Sequence, residues 1–436
     1  MHRSCADVDL RDYRTLTPWV WDCIKRHHKR SDFRNMLLQY GISEKTYKKA
    51  VKWSDASLLY PAVEPVARYA ADCIASRTLV FKPPYIRIRK DPANGKIRPI
   101  GCECPENQIF DSIAIHAAME IWNRRIVPQQ VSSIPGRGPL LGAKTIRHWV
   151  LKDNRAMRYA KAHGVSYASA CKYHTKLDAT LCFPLAELEV FMALFRKDCA
   201  NRDLIWLWET LLKFHRVGDY KGFLIGSSIS AWAMQYMISF LYREMMNLST
   251  ERRGKHIRMV THMITFMDDM LLTGSNRKNL KSAIRKAVKF AKDKLHITLK
   301  GNWHIKALEE EPIDMMGYVI HRNGKMTIRA RNYIHGRRLV LTYYREHALT
   351  VQQARRLTSY KGFFKHTKLT YVRKWEKDDK KLQIAEAMNY AAGIISRFDR
   401  EVNNGRILRE STIQRTAGAG KIQDPPGRES RCLDPS

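Results

Sequence analysis

Acidic residues are scarce in this chain. Asp and Glu number 42 against 77 Lys and Arg in 436 residues, a net charge of +35. That excess is foreign to a metabolic enzyme of small neutral substrates and suits a protein that grips a polyphosphate backbone. The basic residues run along the whole length, which points to a long charged channel rather than a localisation signal. Long apolar runs are missing too. The longest, Ile229 to Tyr242, is too short to span a bilayer and is interrupted by Ser230, Gln235 and Ser239, which argues against a membrane role. Zinc-ligand spacing is absent: the nine cysteines include Cys102 and Cys104, but no second pair follows them. The opening Met1-His2-Arg3-Ser4-Cys5 lacks a signal-peptide apolar stretch. Reduced thiols in a cytoplasmic protein are therefore expected. No internal repeat is visible.

What is present divides into recognisable stretches. Hydrophobic residues at 44% suffice for real cores, and the length suggests two or three packed units. Leu10 to Ser76 reads as helical and basic, with Trp19, Trp21, Tyr40, Tyr47 and Trp53 interleaved. Phe81 to Gly101 alternates like paired strands around Asp91-Pro92-Ala93-Asn94-Gly95. Gln108 to Arg125 has helical periodicity, and Pro135-Gly136-Arg137-Gly138-Pro139 is a loop. Trp149 to Lys172 fits no assignment. His174 to Asp178 reads as a short buried strand, Leu185 to Phe214 as two helices, and Ser228 to Met246 as another. A basic helix, Arg277 to Lys292, precedes a strand, Leu295 to Leu299. Ile313 to Ile320 and Lys325 to Arg329 read as a hairpin through Asn323-Gly324. From Ala330 to about Arg409 the pattern is helical and very basic. Thr412 to Ser436, rich in Gly, Pro, Ser and charge, reads as a disordered tail. Periodicity alone gives a mixed α+β basic protein.

The chemistry gathers at Phe266-Met267-Asp268-Asp269, between apolar runs that read as a β-hairpin. Adjacent carboxylates at such a tip repel each other and need a counter-ion. Asp178 closes an apolar strand far upstream. Phosphoryl transfer by two metal ions requires carboxylates that bridge ions roughly 3.5–4 Å apart. One ion activates a 3′-hydroxyl and the other neutralises the leaving pyrophosphate. Lys96 and Arg98 alternate along a strand, so both point to one face, where they can meet a triphosphate. Gly226 permits close backbone approach to a ligand, and Ser230 could hydrogen-bond a template or sugar.

As a set, these residues resemble reverse transcriptases. Phe266-Met267-Asp268-Asp269 is similar to their Tyr/Phe-x-Asp-Asp box. Lys176-Leu177-Asp178-Ala179-Thr180-Leu181-Cys182-Phe183-Pro184 is similar to their first catalytic box, an Asp with an aromatic five residues on. Ile225-Gly226-Ser227-Ser228-Ile229-Ser230 resembles the Gly-x-x-x-Ser box that holds the incoming nucleotide and template. Gly95 to Ile100 resembles the basic fingers hairpin, and Met315-Met316-Gly317-Tyr318 the primer-grip hairpin. The likeness runs from roughly Arg87 to Tyr318, in the family's order.

The resemblance implies a right-hand polymerase of the α+β class. It comprises an N-terminal helical extension (1–76), fingers (77–170), a ferredoxin-like palm (171–325), a helical thumb (326–410) and a tail (411–436). It implies two Mg²⁺ ions (or Mn²⁺) on Asp178, Asp268, Asp269 and the Ala179 backbone. It makes Lys300 a candidate general acid, in competition with Lys294 and Lys306. Phe183 becomes either a gate against a 2′-hydroxyl or an ordinary core aromatic. Lys96, Arg98, Phe183, Gly226 and Ser230 would hold dNTP. Arg137, Ile225, Phe266, Met267, Met316, Gly317 and Tyr318 would touch template or primer, although Arg137 could equally be a basic turn. In the thumb, Arg337, Arg338, Arg355, Arg356, Lys361, Lys365 and Lys368 with Tyr360, Phe363 and Phe364 would line a duplex minor groove. The implied partners are an RNA template, a DNA primer and product, dNTPs, and an accessory protein or partner polymerase.

The chain departs from the family in places. Ile225 stands where intron-encoded and retron enzymes usually carry Gln, and Ala231 follows Ser230 where retroelement enzymes usually carry Gln. Phe266 replaces the commoner Tyr. No ribonuclease H, integrase or Cys/His-rich endonuclease pattern follows the thumb. The leading expectation is a bacterial or phage RNA-directed DNA polymerase, in antiphage defence or retroelement diversification. Template-independent or protein-primed DNA synthesis, and a non-catalytic RNA-binding scaffold, stand beside it.

Overall fold

The computed structural model describes residues 3–80, 82–90, 97–216, 222–252, 254–367 and 384–403. Lys96, Lys368, the Asp91–Gly95 turn and the tail from 411 lie outside the described residues. Two compact units divide after Met326.

The first unit opens with helices α1 (Tyr13–His27), α2 (Ser31–Gln39), α3 (Glu44–Trp53) and α4 (Val63–Ser76). Side-chain caps start two of them. Asp12 accepts from the Arg14 N–H at α1, and Ser43 accepts from the Thr46 N–H at α3. Each buries one stripe; in α1 it is Leu16, Val20, Cys23 and Ile24. Strands β1 (Tyr85–Lys90) and β2 (Ile97–Cys102) form a two-stranded ribbon. Helices α5 (Pro105–Ala117), α6 (Met119–Arg125) and α7 (Pro139–Ala162) follow, so α7 covers much of the stretch that periodicity left unassigned.

The central sheet takes β3 (Tyr173–Asp178), β6 (His262–Phe266), β7 (Asp269–Gly274) and β8 (Lys306–Ala307) in the order β6-β7-β3-β8. Between β3 and β6 come α8 (Leu188–Asp198), α9 (Arg202–Phe214), α10 (Ser228–Asn247) and a ribbon, β4 (Ser249–Arg252) with β5 (Lys255–Arg258). Periodicity did not signal that ribbon. Helices α10 and α11 (Arg277–Leu295) pack on the sheet, and Trp149 of α7 stacks on His262 with ring centroids 4.6 Å apart. One hydrophobic core runs from Cys5 to Ile305, so the stretches expected as extension, fingers and palm share it. Within it Trp122, Phe191, Phe195, Trp208 and Tyr236 pack on one another in tilted and edge-on pairs.

Two expected strands differ. Leu295 ends α11, His296 adopts a left-handed cap (φ 54°), and only Leu299 forms a bridge, to Ala179. A five-residue apolar stretch does not separate a helix end from a strand. Ile313 to Ile320 is not one strand, as its periodicity reads, but a hairpin, β9 (Ile313–Met315) and β10 (Tyr318–Ile320), turning at the Met315–Tyr318 stretch that resembles a hairpin of the family. Its turn, Met316-Gly317, has positive φ at both positions (54° and 83°), the pattern of a type I′ turn. Strand β11 (Met326–Ile328) spans the boundary between the units.

The second unit has helices α12 (Ala330–Glu346), α13 (Val351–Ser359), α14 (Lys361–His366) and α15 (Ile384–Asn403) around its own core, including Val340, Leu357, Ala387 and Ala391. Tyr360, Phe363 and Phe364 pack against that core. They therefore contribute to that unit's packing while staying half-buried. Arg338, Arg355, Arg356, Lys361 and Lys365 are exposed, with Arg355 paired to Asp399 at 3.4 Å.

Candidate active site

The Asp-Asp hairpin is built by a register that leaves only Met267 and Asp268 to turn the chain, since Phe266 pairs with Asp269. Met267 takes φ 53°, a left-handed conformation a side chain adopts only at a cost of about 1–3 kcal/mol. Neighbours hold it there. The Gln235 amide of α10 donates to the Met267 Sδ at 3.5 Å and to the Ser132 carbonyl at 2.8 Å, and Gln130 donates to Gln235 Oε1 at 2.9 Å. The outer edge of β6 is covered by the 129–131 segment through Thr265 N–H to Gln129 and Val131 N–H to Thr265, each 3.0 Å. Sequence reading noticed Gln235 only as a polar break in an apolar run.

Sheet pairing brings the remote aspartates together. Asp178 at the end of β3 lies opposite Asp269 at the start of β7. Side chains of directly opposed residues share one face of an antiparallel pair. The Ala179 N–H donates to the Asp268 carbonyl at 3.3 Å, tying the strand end to the turn. Asp178 is half-buried and Asp269 exposed. Asp268 is half-buried, and burial raises its carboxyl above the ordinary Asp value; the charge of Asp178 adds to the rise, while Arg98 and Lys300 act against it. Lys300 donates directly from Nζ to Asp178 Oδ2. Its N–H also meets the Asp178 carbonyl at 2.9 Å, which fixes the lysine beside the strand end.

These donors fit a hard divalent cation, because all are carboxylate oxygens, and the charges of Asp178 and Asp268 act on each other with Arg98 and Lys300 as the cations that oppose them. Among the described residues no three His, Cys, Asp or Glu side chains already close around one point. Mg²⁺ sites of the phosphate-transfer kind take one or two carboxylates and complete the shell with water and substrate phosphates.

The β1–β2 ribbon carries a cationic face. Arg89 lies opposite Arg98, and Arg87 opposite Ile100, so Arg87, Arg89 and Arg98 share one side. Arg87 and Arg89 were not singled out from sequence, although their alternation with Ile86 and Ile88 was the signal. The ribbon is stitched to the 222–227 loop by the Gly101 N–H, which donates to the Ile225 carbonyl at 2.8 Å. Gly226 has φ 105°, and a Cβ there would stand 2.8 Å from Ile100 and 2.9 Å from the Gly101 carbonyl. The close approach that requires glycine in this structure is thus to β2. Gly222 is required likewise, by the Phe183 and Pro184 carbonyls.

A pocket of about 560 Å³ is lined by Phe183, Ile225, Gly226, Trp232 and Met267, together with Arg26 and His27 of α1 and His116 of α5. Phe183 is half-buried, which suits a wall of that pocket more than a closed core. Ser230 is fully buried, and its Oγ bonds His215 Nδ1 at 3.1 Å; His215 Nε2 in turn bonds Glu103 Oε1 at 2.8 Å. The expected contact of Ser230 with template or sugar is therefore replaced by a structural chain that ties α10 to α9 and to the start of α5. Arg137 also turns inward, donating to the Val127 and Gln130 carbonyls at 2.6 and 3.0 Å. It holds the 127–137 loop that backs the hairpin, so the basic-turn alternative fits its position. Tyr318 is buried, and the Met316 thioether lies against Gly142 of α7. In the hairpin expected as a primer grip, these two side chains therefore face protein.

No protein-family profile and no curated relative matches the chain. Solved structures do. Apo telomerase from Candida tropicalis, truncated from its C-terminal domain, is 11% identical, with 65% of this chain and 71% of that chain covered and a TM-score of 0.38. Candida albicans telomerase with a TWJ fragment of telomeric RNA is 9% identical over 87% and 77%, TM-score 0.39. The corresponding Candida tropicalis complex is 10% identical over 87% and 76%, TM-score 0.42.

Proposed function

We propose that the chain is an RNA-directed DNA polymerase, joining dNTPs to a primer 3′-hydroxyl in a bacterial or phage-borne system that serves antiphage defence. The observation that carries the chemistry is the meeting of Asp178, Asp268 and Asp269 at one end of one sheet, with Lys300 on Asp178 and Arg98 acting on Asp268. The order and style of the motifs, Ile225-Gly226 among them, support the biological setting.

Asp178, Asp268 and Asp269 would hold Mg²⁺, with the Ala179 carbonyl beside them. When bound, the ions supply a lowered pKa at the 3′-hydroxyl and counter-charge for the leaving pyrophosphate. The protein's own residues do the rest. Arg87, Arg89 and Arg98, with Lys96, draw the triphosphate to the ribbon face. Phe183 forms the floor under the sugar and excludes a 2′-hydroxyl. Lys300, which donates to Asp178 from Nζ, would be the proton donor to a pyrophosphate oxygen. The exposed cations of the second unit bind phosphates without sequence preference.

Primer extension on an RNA template with labelled dNTPs and Mg²⁺ tests the reading. Incorporation that requires the RNA is expected. Incorporation without RNA would replace this reading with template-independent synthesis. Biological activity that survives both Asp268→Asn and Asp269→Asn would replace it with a scaffold.

A further inference from the structure

Helix α3 carries a feature that polymerisation does not use. Lys45, Lys48, Lys49 and Lys52 are all exposed and fall at spacings of three and four residues, so they form one stripe. The opposite face buries Tyr47 and Ala50. The four lysines and Glu44 bound a shallow groove of about 530 Å³. Glu44 is engaged by Arg34 at 2.6 Å and Lys48 at 3.5 Å. Like charges at these spacings destabilise the free helix, so the stripe is suited to a bound polyanion. At its C-terminal end Trp53 is 59% exposed, with Lys49 Nζ 5.6 Å from the ring centre. Lys29 Nζ donates to Ser54 Oγ at 2.8 Å, which brings a fifth cation to that end.

We infer that α3 is a second nucleic-acid site, which seats an unpaired polynucleotide strand: phosphates along the lysines and one base on the Trp53 ring. The stripe from Lys45 to Lys52 is roughly 10 Å long at the helical rise, the length of a few phosphates. A basic groove ending in an aromatic platform is the pairing that single-strand binding uses. A lipid surface fits less well, because membrane-lying helices turn their apolar face outward, and here that face is buried in the protein. The basic stripe of α11, with exposed Lys281, Lys286, Lys289 and Lys292, offers the same charge without an exposed aromatic beside it, and serves as the internal control. On the polymerase reading the bound strand is RNA held away from the aspartates, yet the site stands or falls separately, since α3 holds none of the residues named for synthesis.

The test uses the full chain and a fluorescent unstructured RNA across a salt series. Charge reversal at Lys45, Lys48, Lys49 and Lys52 to Glu is expected to flatten the log Kd versus log salt slope by about 3. The same reversal at Lys281, Lys286, Lys289 and Lys292 is expected to change it less. Trp53→Ala is expected to weaken single-strand binding roughly 5- to 150-fold and leave duplex binding unchanged. Unaltered extension of a short preformed primer–template by the α3 variants would show that they fold. Equal effects from the α3 and α11 sets, or no single-strand loss in Trp53→Ala, would overturn the site. Preferential loss of binding to phosphatidylserine vesicles would overturn the nucleic-acid assignment.

Discussion

Asp198 is buried and Asp268 half-buried in the same unit, and their surroundings differ in kind. Asp198 is 1% exposed and closed by donors: Arg125 Nε at 2.6 Å, Arg124 at 3.0 Å and the Tyr236 hydroxyl at 2.7 Å. Against the upward push of burial, these partners hold its carboxyl below the ordinary value. Asp153 is built the same way, accepting from Ser169, Ala170, Arg322 and Tyr167 within 2.6–2.9 Å. Asp268 instead has Asp178 nearby, and its carboxyl is pushed up. The structural aspartates fasten loops and helices with complete donor sets. The aspartates at the strand ends are positioned by backbone: Lys300 donates to Asp178, and Asp268 keeps a raised carboxyl despite Arg98 and Lys300. That contrast separates a site from a staple better than burial does.

The contrast can be broken by substitution. Asp178→Ala should lower synthesis by about a thousandfold or more, several kcal/mol of transition-state stabilisation, while circular dichroism and melting stay close to the parent. Asp198→Ala should do the reverse in kind. Removing one member of a buried ion-pair group leaves Arg124, Arg125 and Tyr236 without their acceptor and costs about 3–5 kcal/mol in denaturant unfolding. An Asp198 variant with parent stability would undo the comparison. Phe183→Ala should relax discrimination against rNTPs roughly tenfold or more, read as the ratio of kcat/KM for dNTP and rNTP; an unchanged ratio would return Phe183 to ordinary packing.

The pH dependence is the sharpest electrostatic test. Lys300 holds the Asp268 carboxyl down, so Lys300→Met should raise it further. Synthesis needs the ionised acid, so the acid limb of the pH–rate profile should move to higher pH. The stability sign is opposite. A carboxyl raised on folding stabilises most at low pH, and that contribution is lost as pH rises from the ordinary Asp value of 3.8 through the folded one. The variant should thus lose more stability than the parent over that window.

The hairpin was legible in the sequence because it is local: apolar runs on both sides of Asp268-Asp269 require a turn, and Asp178 ends a run of its own kind. The α+β class followed from the same alternation of periods. The supports were not legible. Gln235, Gln130, His215 and Glu103 are polar residues whose partners lie far along the chain, and no spacing announces them. Ser230 and Arg137 stand beside ligand-like motifs, but which way a side chain turns depends on elements that sequence proximity does not reveal. The Met316-Gly317 turn was legible through the resemblance and not through turn chemistry, because a bulky residue occupies a positive-φ position; Leu295–Leu299 was misread because a short apolar stretch fits both periods.

The most direct test measures two properties of one variant. Asp268→Asn keeps the shape and removes the under-compensated charge, so RNA-dependent dNTP incorporation should vanish while the melting temperature at neutral pH stays the same or rises. Incorporation that survives, or a chain that unfolds on that change, would mean that the carboxylate is a staple after all.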